Sequence, residues 1–467
     1  MLKVDRQFAV RGAIFGCMSE RTRSAEETIP TPFLSRFHEL FSADEIWEAG
    51  RRLGVISRDR KIDLPALVEG TVLALSGLPG AQTSAFANYL QLAGHPLAPS
   101  AFYDRFTDPF AALTGELAAR AIAAVRAAAP DGSAREADFA RLLERFTDVR
   151  VTDSTCVALQ KLAAVWAPST SKERPAAFKL HSVVSAIDLL PVEQHLSPQR
   201  VHDNRQLDEA ALDAGTLYIA DLGYVDDGRL VRLFDRAVAL LMRLKKSQNP
   251  VICRVHAGRA TRVACRGKRL DEAFAEGLLD FDGGVVDLDV EIDARVDGKS
   301  ERRIARVVGV QAADGGPYGE SWFYLTTVPR EVLAASEVAT VYSVRWEIEL
   351  LWKHLKTGVA LSALRAWRRE AVLALVHAKI IALALARLLE LALDGDTKEH
   401  AYGQLAIVLT LSRLAPTLLA ARMLARGVGL QEMERRLLMT AAIIARSRNQ
   451  RRERVKRAKL AALRPMG

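Results

Sequence analysis

Three carboxylates in this 467-residue chain stand where chemistry is possible. Two follow short apolar or β-branched runs. Val149–Thr152 leads into Asp153-Ser154-Thr155, and Leu217–Ala220 leads into Asp221-Leu222-Gly223-Tyr224. An acid at a strand end is either a turn cap or a ligand presented at a sheet edge. The third, Glu349, lies in a stretch with helical periodicity. At about 100° per residue, Val344, Ile348, Leu351 and Leu355 share an apolar arc. Tyr342, Arg345, Glu349, Lys353 and Lys356 fall within about 80° of one another on a different arc. Such a stripe is either a solvated face with spaced salt bridges or a carboxylate set among working cations. Trp346 and Trp352 border it, which a freely solvated face seldom has. Converging carboxylates supply hard oxygen ligands for two Mg²⁺ ions, with Mn²⁺ as a substitute. Ions about 3.5–4 Å apart activate water or a hydroxyl and stabilise the leaving oxygen of a phosphodiester.

The rival arrangements are weaker. Asp287, Asp289, Glu291 and Asp293 alternate with Val286, Leu288, Val290 and Ile292. That reads as the wet face of a half-buried strand, with a Ca²⁺ site as the alternative. His181, His202, His256 and His354 lie in unrelated contexts and form no dyad, and His202-Asp203 reads as a turn. No GxSxG, P-loop or GxGxxG is present. Cys17, Cys156, Cys253 and Cys265 lack metal-ligand spacing, so a zinc ribbon and a disulfide framework are both disfavoured. Free thiols fit a reducing cytoplasm.

Charge points to a polyanion. Lys and Arg number 65 against 56 acids, for a net charge of +9. Residues 440–467 hold nine of the basic residues, among them Arg446, Arg448, Arg451 and Arg452, against Glu453 alone. A tail of +8 reads as a nucleic-acid contact, or as a solubilising helix. With 49% hydrophobic and 26% charged residues, global disorder, collagen and disulfide scaffolds are excluded. No signal peptide is read at the start. The apolar stretch Ala371–Leu393, broken by His377, Lys379, Arg387 and Glu390, is expected to be a buried helix rather than a membrane span.

The surrounding elements change in texture along the chain. Residues 1–30 read as an arm. From 31 to 146 the pattern is helical, with a Ser42/Glu45 capping box, a stop at Gly54, a helix starting at Asp108-Pro109, and a further one capped by Ser133 and Glu136. Thr83–Ala93 and Ser100–Thr107, joined through Gly94-His95-Pro96, are loosely helix-turn-helix-like. Strands are expected at Val149–Thr152, Leu180–Ile187, Leu217–Ala220 and Ala239–Leu244, with a helix at Leu230–Ala239. From Pro250 to Thr327 the reading is almost pure β, with a turn at Asp297-Gly298 and a return strand at Ile304–Val310. After Pro329 the chain is helical.

The segment Tyr342-Ser-Val-Arg345-Trp-Glu-Ile-Glu349, with Lys356 seven positions further on, resembles the Y-x-x-R-x-x-x-E-x-x-x-x-x-x-K signature of bacterial insertion-sequence transposases of the DDE class, in the insertion-sequence-four family. Val151-Thr152-Asp153-Ser154-Thr155 resembles their first-aspartate strand, and Ala220-Asp221-Leu222-Gly223-Tyr224 the second. Lys179-Leu180-His181 and His202-Asp203 resemble intervening landmarks. Leu222 departs from the arginine common there, which puts a phosphate or substrate contact in doubt.

The resemblance covers about residues 100 to 395 and implies an α/β RNase H-like catalytic core interrupted by an all-β insertion, flanked by helical domains. The division becomes 1–30 arm, 31–146 helical DNA-binding domain, 147–248 first part of the core, 249–328 insertion, 329–395 second part, and 396–467 helical region with the basic tail. Asp153, Asp221 and Glu349 become the Mg²⁺-binding catalytic triad. Tyr342, Arg345, Lys353 and Lys356 become DNA contacts, joined by Arg446, Arg448, Arg451 and Arg452, and Trp322 a stacking surface for a flipped base. The implied activity is metal-dependent cleavage of double-stranded DNA at transposon-end inverted repeats, through a hairpin intermediate, then joining of 3′ ends to target DNA. The implied setting is a homodimeric synaptic complex, bacterial, cytoplasmic and nucleoid-associated, with no membrane. A catalytically silent DNA-binding descendant and a structure-specific metal-dependent nuclease are the alternatives.

Overall fold

Apolar runs between residues 148 and 326 fold into one nine-stranded sheet. The computed structural model describes residues 31–56, 62–75, 81–128, 144–186, 190–206, 212–213, 215–221, 223–224, 227–260, 262–296, 299–316, 319–353, 355–356, 359, 361–394 and 404–444. The strands are β1 (Asp148–Ala158), β2 (Ala177–Ser185), β3 (Leu190–Pro198), β4 (Thr216–Ala220), β5 (Ala239–Arg243), β6 (Val251–Ala257), β9 (Val285–Val296), β10 (Lys299–Gly316) and β11 (Gly319–Thr326). Two-residue strands β7 (Arg259–Ala260) and β8 (Leu279–Asp280) pair separately. The sheet order is β3-β2-β1-β4-β5-β11-β10-β9-β6. β1, β4 and β5 run parallel, and every other pairing is antiparallel. Parallel neighbours need a crossover, and the helix Asp227–Asp235 supplies it between β4 and β5. β4 is buried along its whole length, as its continuous Leu-Tyr-Ile-Ala run requires. The architecture is mixed α/β.

The chain divides into two compact units. The strand unit comprises Ala129–Ala158 and Ala164–Trp352. Its core joins Tyr218, Leu240 and Met242 from the parallel strands to Leu288, Val307 and Phe323 from the antiparallel ones. One core therefore runs under both halves of the sheet. The stretch from Pro250 to Thr327 is not purely β. Helices Arg262–Cys265 and Leu270–Ala275 interrupt it, and Cys265 from the first and Leu270 and Ala273 from the second pack into that same core.

The alternating strand β9 departs from a simple wet face. Asp287 is 4% exposed and receives both Arg306, itself buried, and Arg330 at 2.8 Å. Arg330 continues to Asp289 at 2.7 Å, where His256 also bonds. Arg306 further donates to the carbonyls of Val328 and Leu333. Arg302, from the next strand, reaches Glu291 at 3.4 Å and Asp293 at 3.2 Å, so arginines pair with all four acids, and Arg306 ties the sheet to the segment leading into the helices beyond. That also removes the Ca²⁺ alternative.

The helical unit comprises Met1–Ala128, Leu159–Ala163 and Lys353–Gly467. Helix Asp108–Ala128 packs along Arg369–Asp394. Arg369–Leu393 is long and apolar enough to cross a membrane, yet 83% of its most apolar window is buried inside the protein. His377 bonds the Ala111 carbonyl there, and buried Lys379 donates to the Ala74 carbonyl, burial pushing its pKa down to about 8. Fully buried Glu69 is matched by Arg422 at 2.7 Å and Arg426 at 2.9 Å, the pairing an interior carboxylate requires.

Two local expectations need correction. Ser42 precedes helix Ala43–Arg52 but makes no side-chain cap bond; its N–H donates to the Glu39 carbonyl, and Glu45 pairs with Arg120 instead of reaching back. The second member of the helix-turn-helix-like pair is only Pro99–Tyr103, five residues long. Its Phe102 is buried against Phe86, Tyr89 and Phe106, and five residues make little more than one turn, too short for a reading helix. The stop after Arg52 is as expected, with Gly54 at φ +73°, a region open to glycine. The helix expected after Ser133 and the turn at Asp297-Gly298 lie outside the described residues.

Candidate active site

β-Register places the first two acids side by side. β1 and β4 pair in parallel through Thr152 and Ala220, so Asp153 and Asp221 are each one residue past the last pair. β4 pairs β5 through Ala220 and Met242, so Arg243 stands one residue past that pair in turn. Equivalent positions on neighbouring strands point to one face. Asp153, Asp221 and Arg243 therefore form a row at the C-terminal edge of the parallel strands. The sequence places Asp153 at a strand end, but the structure puts it inside β1. β1 runs on to Ala158 because its other edge pairs with β2 as far as Ala177.

The Glu349 segment is two helices, Val338–Ser343 and Arg345–Lys353, rather than one. The proposed stripe is accordingly uneven. Tyr342 is 3% exposed, and its ring packs on Tyr324 of β11 with centroids 5.0 Å apart. Arg345 is partly buried and bonds Glu349 at 2.9 Å. Its charge acts on Asp153 and Asp221 as well. Trp352 is nearly buried, and its indole N–H points to Asp153 Oδ2 at 3.4 Å, whereas Trp346 is exposed. Lys353 is exposed and Lys356 half-buried, and both belong to the helical unit.

A ladder of cations and rings runs from Trp322 to Trp346. The Arg243 guanidinium lies 3.8 Å from the Trp322 ring centroid and 5.5 Å from that of Tyr342. Arg345 lies 6.0 Å from Tyr342 and 5.6 Å from Trp346. Arg243 Nε, Tyr342 Oη and Arg345 Nε are buried without hydrogen-bond partners. Three orphaned polar groups beside two acids form a place that an external anion would complete. Arg243 carried no signal in the sequence, since only the β4–β5 register brings it to the acids.

Behind the row, the turn after β4 is pinned. Tyr224 N–H donates to the Asp221 carbonyl at 3.1 Å, and the Tyr224 hydroxyl meets His181 Nδ1 at 3.0 Å. His181 Nε2 meets Ser197 Oγ at 2.8 Å, and Arg229 donates to the Tyr224 carbonyl at 2.6 Å. Burial, with His195 stacked at 4.7 Å, lowers the His181 pKa to about 4, so the ring is neutral at pH 7. The landmark histidine thus supports the Asp221 turn. Lys179 and Asp203 pair nearby at 2.8 Å. Leu222 and the basic tail, with Arg446, Arg448, Arg451 and Arg452, lie outside the described residues.

Electrostatics mark the acid pair. Burial first, and Asp221 beside it, raise the Asp153 pKa to about 6, against the lowering effects of the Ser154 N–H, Trp352 and Arg345. A raised carboxyl pKa means that the folded protein holds the proton more tightly than the unfolded chain. Its ionised form therefore costs stability above about pH 6, by up to roughly 3 kcal/mol, and the cost disappears as pH falls toward 4. Asp153→Asn in EDTA should melt several degrees above wild type at pH 8 and together with it at pH 4. Equal melting temperatures at pH 8 would refute that electrostatic assignment.

Among the described residues, no three of His, Cys, Asp and Glu are gathered closely enough to hold a metal as they stand. The donor chemistry nonetheless suits a hard cation. The charge of Asp221 adds to the cost of ionising Asp153, which a divalent ion would relieve, and the third carboxylate is held one helix turn from an arginine that also faces the pair.

Residues 144–385 match the family described as the transposase DDE domain, and the chain belongs to that family. It is 26% identical over 240 residues to y4zB of Sinorhizobium fredii, named as a transposase, across 51% of this chain and 60% of that one. It is 36% identical over 84 residues to InsL of insertion sequence element IS186A and to the IS421 transposase, both of Escherichia coli, across 18% of this chain and 22% of each. The match thus spans between about a fifth and three-fifths of these relatives. A cryo-EM structure of the piggyBac transposase synaptic complex with hairpin DNA aligns at a TM-score of 0.35 and 8% identity, over 65% of this chain and 59% of that one.

Proposed function

We propose that this protein is a DNA transposase that cuts transposon-end inverted repeats and joins the 3′ ends to target DNA. The observation that carries the reading is the row of Asp153 and Asp221 in β-register, with Arg243 beside it and Arg345 facing it. Acids alone would repel a phosphodiester. Acids bordered by buried arginines with unused donors favour a phosphate held against a cation. In finer terms, we assign the sheet to an RNase H-like core in which β6 and β9–β11 are the inserted strands. The family is that of insertion-sequence-four elements.

Asp153, Asp221 and Glu349 would hold two Mg²⁺ ions, which supply the activation of water and of the 3′-hydroxyl. Arg345 and Tyr342 present donors to the phosphate at the cleaved end, and Arg243 presents another from β5. Lys353, Lys356 and the tail arginines neutralise further phosphates along the duplex. Trp352 orients Asp153 through its indole N–H. The working assembly is a homodimer on two DNA ends, in the bacterial cytoplasm.

Trp322 bears on the hairpin step. Its ring is half-buried and one face lies under Arg243, so a flipped base stacks on the other face or displaces the guanidinium. Trp322→Ala should nick normally and accumulate severalfold less hairpin. Parallel loss of nicking and hairpin, with a lowered melting temperature, would make Trp322 a packing residue.

The catalytically silent alternative draws on the Arg345–Glu349 bond, which occupies the third carboxylate. Incubation of end-bearing duplex with protein and Mg²⁺, then transfer to a target plasmid, separates the readings. Nicking and joining support the transposase; nicking without joining indicates a nuclease; binding without nicking indicates the silent protein.

A further inference from the structure

The row of acids continues beyond Asp153. In β-register Asp153 stands opposite Ser182 of β2, and Ser182 stands opposite Gln194 of β3. Residues directly opposite one another on neighbouring strands share a face. Asp221, Asp153, Ser182 and Gln194 therefore form one polar line across the sheet. Buried residues enclose it. Val151 pairs with Val184 on one side of the line and Thr155 with Leu180 on the other, each at most 4% exposed. Ser182 is itself 2% exposed. Its Oγ and both amide atoms of Gln194 are buried, and among the described residues nothing bonds them. The other face of the same strands contrasts with this. There His181 and Ser197 bond each other, and His181 also meets Tyr224. Buried polar atoms cost free energy unless something pairs with them. Three such atoms in line with Asp153 call for a polar occupant.

The chemistry of the line narrows the choice. Each Asp153 oxygen already takes one protein donor, the Ser154 N–H at 2.7 Å on Oδ1 and the Trp352 indole N–H at 3.4 Å on Oδ2. The carboxylate is thus held from two directions, and the acceptors beyond it are neutral. Another carboxylate there would add negative charge to a row in which Asp221 already makes Asp153 costly to ionise. A hydroxyl and a carboxamide avoid that cost and still accept hydrogen bonds. Mg²⁺ dehydrates reluctantly and keeps several waters when carboxylates bind it. Those waters are polarised donors that need acceptors close to the carboxylate. We propose that Ser182 and Gln194 are positioning residues that hold the water shell of a divalent ion bound at Asp153. The proposal rests on the metal-dependent transposase reading above. The two carboxylates take the cation, and the neutral pair takes its water.

Mn²⁺ alone serves as the probe, titrated by electron paramagnetic resonance into the full chain without DNA. Ser182→Ala and Gln194→Leu should each weaken Mn²⁺ binding about 10–100-fold, the loss typical when a residue supporting a metal ligand is removed. In EDTA both should melt at or slightly above wild type, because an apolar group replaces a buried polar atom that no protein group satisfies. Gln194→Glu keeps the shape and the acceptor oxygen, and should bind Mn²⁺ at least as tightly as wild type. Asp153→Ala reports on the metal site itself and should abolish binding. If Asp153→Ala loses Mn²⁺ while Ser182→Ala and Gln194→Leu keep wild-type affinity, the proposal is overturned and the transposase reading stands. Wild-type affinity in Asp153→Ala removes the metal site, and both fall. Binding weakened as much in Gln194→Glu as in Gln194→Leu overturns the proposal too. So does weakened binding that comes only with a melting temperature several degrees lower in EDTA, which would make the pair packing residues.

Discussion

Asp221→Ala should lose Mg²⁺-dependent nicking of end DNA, with end binding little changed. Asp221 is the residue that meets Asp153 across the β1–β4 register, and no other carboxylate among the described residues occupies that row. Removing a carboxylate that contacts a catalytic ion should exceed the ~10–100-fold loss seen when a residue merely supports a ligand. The same substitution relieves Asp153 of a neighbouring negative charge and should lower its raised pKa. A correctly folded variant is therefore recognisable by its melting curve in EDTA, which should equal or exceed that of wild type at pH 8. Single-turnover nicking, melting in EDTA and Mn²⁺ binding on one preparation make the test complete. Nicking near the wild-type rate would exclude Asp221 from the site. Lost nicking with Mn²⁺ binding retained would place Asp221 in substrate positioning instead.

Arg345→Ala should depress nicking on the order of a hundredfold, the scale of a misplaced reacting group, while Mg²⁺ binding persists. Arg345 does more than satisfy a surface glutamate. It bonds Glu349, acts on both aspartates, lies between the rings of Tyr342 and Trp346, and keeps a buried Nε without a partner. A simple salt bridge at this spacing contributes about 0.2–0.5 kcal/mol to helix stability and would leave cleavage nearly normal. Arg345→Lys separates charge from shape. The lysine keeps the cation but not the planar fork, so a bidentate phosphate contact predicts little recovery. Normal nicking in Arg345→Ala would reduce Arg345 to a helix-stabilising residue and weaken the assignment of Tyr342 with it.

Local signals in the sequence found most strands but not β3, because β-branched and apolar runs bounded by turns reflect packing within a few residues and Leu190–Pro198 has no such run. They singled out both aspartates for the same reason, since each follows an apolar run, although β1 continues past Asp153 to Ala158. The motif around Glu349 located the helix but overestimated its regularity. Tyr342 shares its arc by angle, yet the break at Val344 and the packing on Tyr324 turn the hydroxyl inward. Arg243 was invisible as a site residue, and Trp352 was noticed beside the stripe but not as a partner of Asp153. One depends on a register between strands, the other on a tertiary approach to Asp153, and neither leaves a trace in spacing. The acids of β9 misled for a related reason. Their alternation was real, but Arg306 and Arg330 come from elsewhere in the chain to bury one of them and pair two.

The order in which the sheet is filled has a temporal consequence. β5 meets β11 as its neighbour, although 75 residues separate Arg243 from Tyr318, the residue before β11 begins. During synthesis at about 5–20 residues per second, the ribosome needs roughly 4–15 s to supply that partner. For that interval the hydrogen-bonding edge of β5 is open to any passing strand. Glu349 emerges later still, roughly 6–26 s after Asp221. A nascent chain thus holds its two aspartates in a nearly complete parallel layer before it has the residue that would make them competent. Substitutions that slow closure of β5 onto β11 should therefore lower the soluble yield more than they lower the melting temperature of the finished protein.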